Sequence, residues 1–160
     1  MTEDEIKAAF VSAYNKLVTE KKEIIANAEL IRRTLCVTDS LLAEKKQLED
    51  EMPIVVEMTQ SIVEENARVA QNQEEYQKRY DALSERYNNT KERLDAVTAE
   101  IDKKELTRAA LTDFQKALHS RQQLLTKFDE EAWYTLVDYA TVYSKDDIRF
   151  TFKDGTEIKA

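Results

Sequence analysis

ARVAQNQEEY, residues 67–76, separates two long runs that carry the same apolar spacing. Before it, Leu41, Lys45, Leu48, Met52, Val55, Thr59, Ile62, Asn66 and Val69 alternate steps of four and three. After it, Tyr76, Tyr80, Leu83, Tyr87, Thr90, Leu94, Val97 and Ile101 do the same. That alternation marks a coiled-coil seam. Within the stretch, Asn72 and Glu75 have the spacing of a helix cap and its N3 partner, with Asn in the Ser/Thr place of a capping box. A helix therefore restarts at Asn72 after a short turn. Two seams of similar length joined this way fold back as an antiparallel hairpin, each arm reaching about 40 Å at ~1.5 Å per residue. The alternative is one continuous helix that must dimerise. Matched seams within a single chain favour the hairpin.

Two details qualify this arm. Pro53 lacks a backbone donor and clashes with the preceding turn, so a kink or break is expected near Glu49 to Met52. Folding about residues 70–75 brings Thr59 close to Tyr87 and Thr90 close to Val55. The layers near mid-arm then carry threonine hydroxyls, which soften the rod or set its register.

The flanks read differently. One amphipathic helix is expected from about residue 4 to 35, capped by Thr2 or Asp4, with a stripe of Ile6, Phe10, Ala13, Tyr14, Leu17, Ile24, Ala28, Ile31 and Leu35. CVTDS at 36–40 interrupts it, and Thr38 or Asp39 can cap the next helix. Beyond Ile101 the strict seam decays into a stripe of Leu106, Ala110, Phe114, Ala117 and Leu118. Asp129 then caps a short helix, with Phe128 and Trp133 at the spacing of a hydrophobic staple. TVYSKDD comes next as strand and turn, and IRFTFKDGTEI at 148–158 is a β-hairpin by its alternation around Asp-Gly. Ile148, Phe150, Phe152 and Ile158 are its packing residues. Such a hairpin is marginal alone, so preceding helices or a neighbouring chain must cover it. The expected fold is thus mainly α: a base helix over 1–37, a coiled-coil arm over 38–104 with its tip near 66–73, and a returning helix, short helix and terminal hairpin over 105–160.

Composition agrees with a rod. The 160 residues include one glycine and one proline, with 35% charged and 42% apolar residues, which suits long helices with wide solvated faces. A net charge of −8 makes the chain a poor polyanion binder by itself. No apolar run reaches the length of a membrane span and no signal peptide is recognisable, so no membrane partner is expected. A single cysteine, Cys36, fits a reducing cytoplasm. No catalytic constellation is visible: His119 is the sole histidine, one glycine cannot build a phosphate loop, and acidic pairs such as Glu64-Glu65 lie along solvated helix faces. The chain is expected to be no enzyme, with no metal site, cofactor or small-molecule substrate of its own. Lys145, Arg149, Lys153 and Lys159 surround the terminal strands, either as charges protecting a sheet edge or as a small DNA-facing patch.

The order of helix, helical hairpin, helix and β-hairpin, with the stretches DEIKAAFVSAYNKL, NARVAQNQEEYQKRYDALSERY and FDEEAWYTLVDYATVYSKDDIRFTFKDGTEI, resembles the C-terminal region of the large serine recombinases. These are the integrases and transposases of phages and mobile elements in Gram-positive bacteria. The resemblance covers essentially the whole chain, and its most specific part is the final block. It implies a bacterial cytoplasmic protein and a fragment that begins after the zinc ligands, since the resolvase-type serine motif and the ribbon cysteines are missing; zinc would belong to the parent. The terminal strands would then close a sheet whose other strands lie upstream. It also implies that the arm contacts other recombinase subunits, and that a directionality factor can act on it, while DNA is bound through the parent. The tip residues that match the family's contact position are Asn66, Ala67, Arg68, Val69, Ala70, Gln71, Asn72 and Gln73, with Val69 as apolar contact and Arg68 for polar pairing. The family's glycine-containing tip turn has no glycine here. The other reading is a free-standing coiled-coil scaffold or prefoldin-like chaperone subunit, but a prefoldin-like chain carries its strands between the two long helices, not after both.

Overall fold

A computed structural model describes residues 2–69, 72–144 and 146–160. Their elements run α1 (Glu3–Thr19), α2 (Lys21–Leu35), α3 (Asp39–Arg68), α4 (Gln73–Ser120), α5 (Glu130–Leu136), β1 (Val137–Ser144), β2 (Asp147–Phe152) and β3 (Glu157–Lys159). The protein is mainly helical, with a small antiparallel sheet at the end, as the sequence predicts. It divides into two units, residues 37–104 and residues 1–36 with 105–160.

Within residues 37–104, α3 and the first part of α4 form the antiparallel hairpin. Arg86 binds Glu51 at 2.7 Å and Arg93 binds Glu44 at 2.6 Å. One heptad forward on α4 is thus one heptad back on α3, and only antiparallel helices meet this way. The seam positions Val55, Ile62, Thr90, Val97 and Ile101 are buried. Helix α3 runs unbroken through Pro53, so the expected break does not occur. Pro53 and Glu49 are both exposed, and water can satisfy the carbonyl that loses its amide partner. Thr59 donates its hydroxyl to the Val55 carbonyl at 2.8 Å, so this seam hydroxyl is satisfied inside its own helix.

The other unit has the larger core. Phe10, Ala13, Tyr14 and Leu17 of α1 pack with Phe114 and Leu118 of α4, Ala132 and Leu136 of α5, and Ile148, Phe150, Phe152 and Ile158 of the sheet. Trp133 lies 5.1 Å from Phe10 and 5.7 Å from Phe150, ring centre to ring centre, in edge-on geometry, which adds about 0.5–1.5 kcal/mol per pair beyond burial. The apolar face of the terminal hairpin is therefore covered by helices of this same chain. Thr2 caps α1 with a complete capping box to Glu5, and Asp129 caps α5 through the Ala132 amide at 2.8 Å. Phe128 and Trp133 form the staple, 5.8 Å apart.

The sheet has the order β1-β2-β3, all antiparallel. Between β2 and β3 the Gly155 amide donates to the Phe152 carbonyl and the Phe152 amide to the Thr156 carbonyl, both at 2.8 Å. Gly155 has φ 88, the left-handed conformation that closes a three-residue hairpin loop and costs glycine nothing. Asp154 accepts from the Thr156 amide and hydroxyl.

Two further expectations need correction. The predicted single helix over 4–35 is two helices meeting at Glu20. No proline or glycine marks the break. Asn15 clasps the backbone of Leu125, donating to its carbonyl at 3.0 Å and accepting from its amide at 2.8 Å, and Thr19 bonds back to the Asn15 carbonyl. Helix α1 then serves the aromatic core, whereas α2 packs Ala28 against Leu111. Leu35, predicted on the stripe, is largely exposed.

The second correction concerns α4. Leu106 is 72% exposed and Leu111 is buried in its place. The four-three alternation continues from Ile101 through Lys104, Arg108, Leu111, Gln115 and Leu118. Arg108 donates to the Cys36 carbonyl, and Gln115 to the Ile25 carbonyl at 3.1 Å. Polar side chains that bond to the backbone of α2 and of its C-cap occupy seam positions, which hides the seam from any apolar count.

Candidate interaction site

The end of the hairpin is assembled from local signals. Helix α3 closes at Val69, whose extended backbone (φ −127, ψ 134) stops the helix while its amide still donates to the Glu65 carbonyl. Helix α4 opens at Asn72, whose side chain accepts from the Glu74 amide at 3.0 Å. The cap is the one the sequence predicts, one position nearer than a capping box would place the bond. Across the tip, Gln73 donates to the Asn66 side chain at 3.1 Å, and Arg79 reaches Glu65 at 3.5 Å. Both contacts span the two helices beside the tip and are solvent-exposed.

Of the predicted contact residues, Ala67, Arg68, Val69, Asn72 and Gln73 are exposed and Asn66 is half-buried. Ala70 and Gln71 lie outside the described residues. Val69 stands 59% exposed, an apolar side chain with solvent around it at the end of a helix. Arg68 pairs with Glu64 one turn back at 3.6 Å, a solvated pair worth little and open to exchange for a partner's carboxylate.

Below the tip the two flanks of the hairpin differ. Taking Val55 and Ile62 as d positions, the g positions Glu44, Glu51 and Glu65 meet Arg93, Arg86 and Arg79. Met58 stands where this flank lacks an acid, and a groove of 380 Å³ opens there beside Ile62, Arg79 and Leu83. On the e flank, Val56 and Val63 are exposed. With Thr59, Tyr80, Leu83 and Tyr87 they line an open groove of 650 Å³. Neither the groove nor this division of flanks follows from the seam alone. The signal was present as two valines seven residues apart, one step off the seam.

The predicted DNA-facing set is not brought together as free cations. Arg149 is held by Asp147 and by Glu157, each at 3.0 Å, and Lys159 shares Asp147 at 3.6 Å. Hydrogen bonding to Arg149 pulls the Asp147 carboxyl below its usual range, and the same two acids hold the Arg149 guanidinium more firmly charged. Lys153 donates to the Tyr134 carbonyl at 2.6 Å. Lys145 lies outside the described residues. A phosphate at this face must compete with carboxylates already in place.

Among the described residues, no group of three or more His, Cys, Asp or Glu side chains is arranged to hold a metal ion, and no helix is long and apolar enough to cross a membrane. Compared with known protein families, curated proteins and solved structures, the chain finds no match, so the meaning of this site rests on its own geometry.

Proposed function

We propose that the chain is the non-catalytic C-terminal portion of a site-specific DNA recombinase of the large serine family, whose arm makes protein–protein contacts that control synapsis and direction of recombination. The exposed Val69 at a cross-linked hairpin tip is the observation that carries this reading. An apolar side chain that its own chain leaves in water, on a helix end beside the Gln73–Asn66 and Arg79–Glu65 contacts, is available to a partner. The e-flank groove with Val56 and Val63 is a second exposed surface on the same arm. The partners are other recombinase subunits and, through the same arm, a directionality factor; the parent, in the bacterial cytoplasm, holds DNA and zinc. Placement of the sheet after both long helices favours this reading over a prefoldin-like scaffold.

The genomic reading frame is the first test. Codons for a resolvase-type domain and a cysteine-rich ribbon running in frame upstream support the proposal, and their absence removes it. Analytical ultracentrifugation of the chain and of Val69→Asp tests the tip itself. Self-association that remains when the open β1 edge is blocked by Val142→Lys, and that is indifferent to the Val69 charge, takes the tip out of the contact.

A further inference from the structure

The two edges of the sheet are treated differently. Strand β3 has three residues, two of them charged, and Lys16 of α1 donates to its Lys159 carbonyl at 2.7 Å. That edge is short and blocked, as protected edges are. Strand β1 has eight residues, VDYATVYS, and Asp138 is its only charge. It pairs on one side alone.

Its free backbone groups can be identified. The Ile148 carbonyl accepts from the Ala160 amide and the Phe152 amide donates to Thr156, so these β2 residues turn their backbone towards β3. By alternation, Arg149 and Thr151 turn theirs towards β1. Their partners Thr141 and Tyr139 are then bonded to β2. Ala140 and Val142 are left with amide and carbonyl directed at the open edge, and among the described residues neither has a further backbone partner there. Tyr139 is 56% and Tyr143 63% exposed on the outer face, with Arg149 stacked 4.8 Å from the Tyr143 ring centre.

We infer that this edge pairs with the β1 edge of a second copy of the chain, antiparallel about a two-fold axis through Thr141. The strand's match to itself is the observation that favours that occupant. A two-fold axis perpendicular to the sheet requires paired residues to share a face. With Thr141 at the centre, Ala140 of each copy exchanges both backbone bonds with Val142 of the other, which uses the groups left free. The stretch Tyr139–Val142 is the regular part of β1, with register shifts on either side of it, and on its outer face Thr141 lies opposite its own copy, a threonine pairing that stabilises sheets. Asp138, the strand's one charge, lies outside that regular stretch. The interface joins two three-stranded sheets into one continuous sheet and is of the small, weak class.

Sedimentation velocity of the full chain over rising concentration tests this, alongside Val142→Lys. The expected result is a concentration-dependent dimer that Val142→Lys abolishes with an unchanged circular dichroism spectrum. Thr141→Cys provides the register: this centre is a wide pair with Cα atoms about 4.5 Å apart, within disulfide reach. It should oxidise rapidly to a covalent dimer, whereas Ala140→Cys should not, and native Cys36 is buried and does not compete. A chain that stays monomeric throughout, or a dimer that persists in Val142→Lys and is lost in Val69→Asp, overturns the inference.

Discussion

The two units solve the same problem with different resources. In the base, seven elements converge, and Phe10, Tyr14, Phe114, Phe150 and Phe152 are essentially removed from water. In the arm, two helices can bury only the line along which they touch, and Val55, Ile62, Val97 and Ile101 carry it while Ile54, Val56, Met58 and Val63 stay exposed. A two-helix layer has no second neighbour to cover its flanks. The enclosed aromatic core therefore lies in the base, whereas exposed apolar residues occur on both units, along the flanks of the arm and on β1 of the base.

That contrast can be broken most strongly at Phe150. Phe150→Ala removes the ring shared by Phe10 and Trp133 and should cost about 3–5 kcal/mol, enough to unfold the base of a marginally stable chain. Near-ultraviolet dichroism of Trp133 should vanish while roughly half of the far-ultraviolet helix signal, that of the arm, survives. Loss of both together would mean that the units do not melt separately.

Effects on the arm are smaller. Ile62→Ala should cost about 2 kcal/mol, the low end for a buried aliphatic truncation, because a two-helix site collapses readily. Pro53→Ala acts in the opposite direction: restoring the amide to the Glu49 carbonyl should stabilise the arm by about 1–3 kcal/mol, read as a higher midpoint in urea. Asp129→Ala should remove about 1 kcal/mol from the base through the lost cap.

The smallest effect is electrostatic. Hydrogen bonding from Arg93 holds the Glu44 carboxyl below its ordinary value of 4.5. A depressed carboxylate contributes stability above that value, and the contribution is lost as pH falls through the lowered one. Glu44→Gln should therefore lower the arm's melting temperature slightly at neutral pH, and the difference from the native chain should disappear under acid. Because the pair is solvated, added salt should shrink it too.

Much of this architecture was legible in advance. Both seams, the Asn72 restart, the Asp129 cap, the Phe128–Trp133 staple and the glycine turn all sit where local spacing placed them. Each depends on residues within a turn or two of one another. The groove under Val56 and Val63 was less legible because a seam-based reading treats off-seam valines as surface. The carboxylate partners of Arg149 were also hidden, since Glu157 reaches it only after β2 and β3 pair, and Asp147 shares itself with Lys159 across the same pair of strands.

By itself, the sequence determined which segments are helix, where the long hairpin turns and which faces carry apolar residues, because period, caps and turn chemistry act over a few consecutive positions. Only the tertiary structure decided the break at Glu20, the burial of Leu111 rather than Leu106, and the seam roles of Arg108 and Gln115. Those outcomes depend on which backbone carbonyl or ring lies opposite a side chain from a distant part of the chain. A backbone carbonyl exposed at a helix face is the same group in every sequence, so no residue pattern announces it.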